Sequence, residues 1–242
     1  MKTRENILGV IFDNVTMQEA FNYGLGLFSR QTKSVIYTPN PEIVMAAYED
    51  DDLKNNLNQA DLVLPDGIGV VIGSKLIGRP LKERVAGFDF IQQLFAALKD
   101  TDYTVYFFGS KEGVAELAAE KMKKKYPGLS IAGTWHGYEK DTEKVIADIN
   151  RVKPDLLLVG LGAPRQEQWI SQNKERIDAK VFAGIGGSFD GMAGVVKRAP
   201  DIFIRLNLEW FYRLLKQPTR FKRMLKLPLF LIKVIIEGRN YT

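Results

Sequence analysis

Short runs of apolar, β-branched and aromatic residues recur along this chain, separated by longer stretches in which apolar positions return every three or four residues. The runs at 7–12, 34–38, 61–64, 104–108, 130–134, 155–159 and 180–185 predict strands, and the stretches between them predict amphipathic helices. This alternation is the rhythm of βαβ units, so the fold class expected is α/β: a Rossmann-like, mostly parallel sheet flanked by helices. Two helix ends are explicit. Thr16-Met-Gln-Glu19 reads as a capping box, and a helix over about 111–126 stops at Pro127-Gly128.

After Arg198-Ala-Pro200 the pattern turns to helices without strands, at 201–216, 218–227 and 229–238, punctuated by Pro218 and Pro228. This change predicts an α/β core over 1–195 and a C-terminal helical appendage over 196–242. The first appendage helix is apolar on most sides, through Ile202, Phe203, Leu206, Leu208, Trp210, Phe211, Leu214 and Leu215. Such a helix requires cover from the core, a second subunit or lipid. Arg213, Lys216, Arg220 and Arg223, spaced three, four and three, form one basic edge if Pro218 only bends the path.

Composition narrows the chemistry. The 242 residues, 45% hydrophobic, suffice for one sizeable core. With no cysteine and a single histidine, His136, thiolate nucleophiles, disulfides and multi-histidine metal centres are excluded. The net charge of +5 is uneven: residues 194–242 hold eleven Lys/Arg against three Asp/Glu, a local +8, so residues 1–193 carry −3. The longest apolar run, Leu227-Pro-Leu-Phe-Leu-Ile-Lys-Val-Ile-Ile236, is far short of the ~20 residues of a membrane span and contains Lys233. The N-terminus runs from Met1-Lys-Thr-Arg-Glu-Asn6 directly into a strand pattern, which predicts a cytoplasmic protein.

The clearest chemical signal is Ala60-Asp-Leu-Val-Leu-Pro-Asp-Gly-Ile-Gly69, where a strand pattern delivers Asp66 into a glycine turn. Ligands of open α/β sheets sit outside the carboxyl ends of the strands, so Asp66 is placed to act on one; capping the helix that starts near Gly67 is the structural alternative. Thr38-Pro-Asn-Pro41 ends the preceding strand pattern and offers Thr38 and Asn40 as neutral hydrogen-bonding groups or as turn formers.

With Thr38-Pro-Asn40 and Asp66-Gly-Ile-Gly69, five more runs follow in order: Arg84-Val-Ala-Gly-Phe-Asp89, Gly160-Leu-Gly-Ala-Pro-Arg-Gln-Glu-Gln-Trp169, Gly186-Gly-Ser-Phe-Asp-Gly191, Arg198-Ala-Pro200 and Leu208-Glu-Trp-Phe-Tyr-Arg-Leu214. Nearly end to end, this set resembles the WecG/TagA/CpsF glycosyltransferases. The resemblance implies inverting transfer of N-acetylmannosamine (ManNAc) from UDP-ManNAc to undecaprenyl-diphosphate-linked N-acetylglucosamine (GlcNAc), forming the ManNAc-β(1,4)-GlcNAc linkage unit of wall teichoic acid. Related transferases that use the uronic acid of ManNAc or another UDP-hexose are the alternative.

On that reading Asp66 is the general base, and an inverting displacement needs only one. Arg84 pairs with the leaving diphosphate, with a surface ion pair as its alternative. Thr38, Asn40 and Gln168 hold sugar groups, and Tyr138 and Asp190 grip the uridine. Gly109, Gly162 and Gly187 let backbone approach the donor or simply make tight turns. Arg213, Arg220 and Arg223 bind the acceptor diphosphate at an anionic membrane surface, which places the protein at the inner face of the plasma membrane. Packing of the same apolar helix on a second copy gives a homo-oligomer. No cofactor or metal is expected, since Asp50-Asp-Asp52 and Asp100-Thr-Asp102 sit where solvated charges belong and no Asp-x-Asp follows a strand.

Two other classes fit less well. A nicotinamide-dependent oxidoreductase would need the glycine spacing that Gly67-Ile-Gly69 and Gly160-Leu-Gly162 fail to complete. A nucleic-acid-binding module is suggested by the pI of about 9.2, but the charge is confined to an apolar-rich tail.

Overall fold

A computed structural model describes residues 3–216 and 225–241, except for the Arg213 side chain. Six strands form one sheet in the order β4-β3-β8-β7-β5-β6, and every pairing is parallel. They are β3 (Ser34–Tyr37), β4 (Leu62–Val63), β5 (Thr104–Gly109), β6 (Ser130–Trp135), β7 (Leu156–Gly160) and β8 (Val181–Gly184). Helices cover both faces, as a parallel sheet requires. Alternate residues of each strand therefore enter two separate cores: Tyr106 and Phe108 face one, Val105 and Phe107 the other. The α/β reading holds for all six strands.

The first strand run behaves differently. Instead of one parallel strand it forms an antiparallel hairpin, β1 (Thr3–Ile7) and β2 (Val10–Asn14), separate from the main sheet. Leu8 and Gly9 both take positive φ, 53° and 88°, the geometry of a two-residue hairpin turn. An apolar run conceals such a turn. The hairpin protects a sheet edge: fully buried Asp13 accepts from Val63 N of β4 at 2.8 Å and from Arg4 Nε at 3.0 Å.

The helices of the body are α1 (Met17–Leu27), α2 (Pro41–Glu49), α3 (Asp51–Asn58), α4 (Ile68–Leu76), α5 (Gly87–Leu98), α6 (Val114–Lys125), α7 (Thr142–Val152), α8 (Arg165–Asn173) and α9 (Ser188–Met192). The Thr16–Glu19 capping box opens α1 with both reciprocal bonds present.

In the C-terminal segment the long helix expected at 201–216 is two, α10 (Asp201–Arg205) and α11 (Glu209–Lys216). Asn207 breaks it at φ 58°, a conformation asparagine tolerates better than most residues. The last helix, α12 (Lys226–Glu237), starts before Pro228 rather than after it. Proline is harmless there because first-turn N–H groups have no intrahelical partner.

A boundary at 195/196 does not separate two cores. Phe230 and Val234 of α12 are fully buried in the same cluster as Val44 and Val70, and Leu227 and Phe230 fill the space over Gly69 and Gly73 of α4. Among the described residues, no helix is long and apolar enough to cross a membrane.

Candidate active site

Parallel pairing sends every strand end to the same edge of the sheet, and the motif residues collect there. At one corner three loops are tied together. Asp66 N donates to Pro39 O at 3.2 Å, joining the β4 exit to the β3 exit, and Val85 N donates to Pro65 O at 3.0 Å, joining both to the loop before α5. Thr38, Asp66 and Arg84 are thereby brought into one corner. Thr38 packs so closely on α5 that a Cβ on Gly87 would lie 2.6 Å from its Oγ1, so only glycine fits at that helix start.

Asp66 does not cap α4, whose N-cap is Gly67 with no side-chain bond. Its Oδ2 accepts instead from Gly87 N, in the first turn of α5, at 3.2 Å. The carboxylate thus sits at the N-terminus of a helix, where first-turn N–H groups lack intrahelical partners. Arg84 Nε lies 3.8 Å from the other oxygen, Oδ1, and Arg84 Nη2 donates to Glu209 Oε2 of α11 at 3.0 Å. All three side chains are largely removed from solvent, at 30% exposure for Asp66, 15% for Arg84 and 13% for Glu209. Arg84 is therefore not in a surface ion pair; it bridges the β4 exit and the C-terminal segment.

Asn40 is the N-cap of α2, its Oδ1 accepting from Ile43 N at 3.0 Å, so the structural use of this residue is realised at that oxygen. Midway along the edge, Asp190 Oδ1 accepts from Ser110 Oγ at 2.8 Å. Gly109 takes φ 140° and runs so near β7 that a Cβ would meet Gly160 O at 2.4 Å, so its glycine is required by packing. Gly162, at φ 76°, and Gly187, at the start of α9, have open space around them.

At the far end an open cleft of about 440 Å³ is lined by Phe108, Tyr138, Thr142, Leu161, Arg165 and Trp169. Phe108 and Trp169 rings meet there at 4.7 Å, and the Tyr138 side chain is mostly exposed. Tyr138 follows β6 and Asp66 follows β4, the two outer strands, so five strand spacings of ~4.8 Å, roughly 24 Å, separate their strand ends. The expected residues fall into two groups along one edge rather than into one pocket.

Several residues that hold this edge were not among those expected. Gln166 bonds the β8 exit loop: its Oε1 accepts from Gly186 N at 2.9 Å while its Nε2 donates to Glu167 Oε1 at 2.8 Å. Burial pushes the Glu167 carboxyl above its ordinary range, and its Oε2 has no hydrogen-bond partner. Arg198 pairs with Asp89 Oδ2 at 2.6 Å and lies over the Phe88 ring at 4.9 Å. Glu209 completes the set. Arg220, Arg223 and the side chain of Arg213 lie outside the described residues.

Among the described residues, no group of three His, Asp or Glu side chains could hold a metal ion. Asp50 Oδ1 caps α3 through Leu53 N, and Asp51 pairs with Lys54.

Residues 5–242 match the Glycosyl transferase WecG/TagA/CpsF family. The chain belongs to that family. A protein of Bacillus subtilis (strain 168) is 42% identical over 207 residues, 86% of this chain and 81% of its own. One from Staphylococcus aureus (strain MRSA252) is 36% identical over 238 residues, 97% of this chain and 93% of its own. Both carry the name N-acetylglucosaminyldiphosphoundecaprenol N-acetyl-beta-D-mannosaminyltransferase. The corner at Asp66 brings together a carboxylate, the Arg84 guanidinium and the Thr38 hydroxyl.

Proposed function

We propose that this protein transfers ManNAc from UDP-ManNAc to GlcNAc-diphosphoundecaprenol with inversion, making the β(1,4) linkage unit of wall teichoic acid. The observation that carries the mechanism is the convergence of Asp66, Arg84 and Thr38 at the joined exits of β3 and β4. The relatives' shared name motivates the choice of substrates.

In this mechanism the donor lies along the strand ends. Its uridine sits toward the aromatic cleft, with Tyr138 and Asp190 as contacts and the Gly109, Gly162 and Gly187 turns admitting the diphosphate. Its sugar points to Thr38, Asn40 and Gln168. Asp66 takes the proton from the acceptor hydroxyl as that oxygen attacks the anomeric carbon, and the C–O bond to UDP breaks on the opposite face. Arg84 neutralises charge on the departing diphosphate, and fixed protein donors rather than a metal supply the rest. Excess EDTA leaves the rate unchanged on this account; loss of activity restored by Mg²⁺ or Mn²⁺ contradicts it.

Residues 196–242 serve acceptor engagement, the α/β core of 1–195 donor binding. Ile202, Leu206, Phe211, Leu215, Leu229, Ile232 and Ile236 are exposed in the same segment that carries the +8 charge, a combination suited to an anionic lipid surface. Arg213, Arg220 and Arg223 are assigned to the lipid-linked diphosphate, and homo-oligomerisation is the competing way to cover the apolar residues.

Turnover against a panel of UDP-sugars tests the substrate assignment. UDP-ManNAc is expected to be preferred over its uronic acid and over UDP-GlcNAc. Preference for either of those identifies a related transferase instead.

A further inference from the structure

Gln166 is tied to two strand exits at once. Its main-chain N–H donates to Gly162 O at 3.0 Å in the β7 exit loop, and its side-chain Oε1 accepts from Gly186 N at 2.9 Å in the β8 exit loop. The amide is held at its other end as well, because Nε2 donates to Glu167 Oε1 at 2.8 Å. Both side chains belong to buried residues, 3% and 1% exposed, so these bonds form where water does not compete. Gly184, at the end of β8, makes the room: a Cβ there would lie 3.1 Å from Gln166 Nε2 and 3.0 Å from the Tyr37 ring.

The peptide that Gln166 bonds is fixed from both sides, since Ile185 O accepts from Ser188 N at 3.1 Å and from Ser188 Oγ at 2.7 Å. The next residue is open. Gly187 has φ −81° and ψ 20°, a conformation open to any residue, and its chain neighbours aside a Cβ there would come no nearer than 3.9 Å, to Asp190 Oδ2. Among the described residues, neither conformation nor packing therefore requires glycine at 187. Bare backbone facing open space leaves room for a ligand to come close. In the β7 exit loop a Cβ on Gly162 likewise meets no described atom within 4 Å.

We infer that Gln166 is a positioning residue for the donor: it staples the β7 and β8 exit loops together so that the backbone at Gly162 and Gly187 meets the diphosphate, on the reading that those two turns admit it. Gln166 has almost no exposed surface of its own, so it acts through Gly186 rather than by contact. Glu167 keeps the amide the right way round, drawing Nε2 to itself and leaving Oε1 for Gly186 N. Without Gln166 the loop gains conformations that donor binding must remove, an ordering cost that weakens affinity. Asp66 follows β4, two strand spacings or roughly 10 Å from the β8 exit, so the transfer step itself is little affected.

The test measures UDP affinity by calorimetry, with donor KM and kcat, in the full chain carrying Gln166→Met, Gly187→Ala, or Gln166→Glu together with Glu167→Gln. Gln166→Met keeps the length of the side chain and removes both of its bonds. UDP affinity and donor KM are expected to weaken by about tenfold, the scale of one lost hydrogen bond, with kcat at saturating donor within about threefold of wild type. The double variant gives Gly186 N an acceptor again and reverses the amide–carboxylate pair, so it is expected to bind UDP within about threefold of wild type. Wild-type UDP affinity in Gln166→Met overturns the inference, as does a loss confined to kcat or a double variant that binds no better than Gln166→Met. In the wild-type protein, amide exchange at Gly186 is expected to be slow before UDP is added; fast exchange overturns the inference even where Gln166→Met does not fold. Gly187→Ala separates the two levels. If it binds UDP weakly while Gln166→Met binds normally, only this inference fails; if it binds UDP as the wild type does, the donor does not approach this loop and the inference falls with that reading.

Discussion

Glu167 shows how a single residue can be written into a motif and still have a role that spacing does not reveal. Burial raises its carboxyl pKa in the folded state, so the cost of holding it charged is absent at low pH and grows as pH rises from the ordinary glutamate range toward the folded value. Glu167→Gln removes that cost while keeping the shape of the side chain. Its melting temperature is expected to exceed that of the wild type at pH 8 by more than at pH 4.5; an equal difference at both values contradicts the assignment. Asp66 and Thr38 were legible because each ends a strand pattern. The partners of Arg84 and Asp89 were not, since Glu209 and Arg198 lie 125 and 109 residues away, and no local period encodes such pairs. The bonds that Gln166 makes at the β8 exit were not legible either: it stands two residues, about 200° of helix rotation, from Gln168, and which face of α8 meets that loop is set by packing.

At the scale of elements, the six parallel strands followed from their apolar runs because both faces of the sheet are covered. The hairpin did not, because Leu8-Gly9 lacks the usual polar turn residues and its turn is recognised only by two positive φ angles. Pro228 misled in the opposite direction, marking the first turn of α12 instead of its start. The burial of Phe230 and Val234 contributes about 1.5–3 kcal/mol each and holds α12 on α2 and α4. The Tyr48 hydroxyl adds a bond to Glu237 Oε2 at 2.5 Å. Phe230→Asp should therefore release α12: hydrogen exchange across 226–237 is expected to accelerate while the strands β5, β7 and β8 stay protected. Unchanged exchange in α12 would show that other contacts hold it.

For the whole molecule, the proposed mechanism has the sheet set the length of the site and the C-terminal segment close one end of it. Where the segment meets the body depends on Asn207, which turns α11 so that Glu209 reaches Arg84. The exposed apolar residues of α10, α11 and α12 predict binding to anionic vesicles that weakens at high salt, since each basic residue near such a surface gains on the order of 1 kcal/mol and salt screens it. Flotation with phosphatidylglycerol vesicles checks this; indifference to vesicles at low salt leaves a second copy of the chain as the cover. The claim on which the whole mechanism rests is that Asp66 takes the acceptor's proton. Single-turnover transfer from UDP-ManNAc to lipid-linked GlcNAc by Asp66→Asn, with UDP affinity measured on the same protein, tests it most directly. Transfer is expected to fall by about 10²- to 10⁴-fold with UDP affinity and melting temperature unchanged. Transfer within a few-fold of wild type would contradict it.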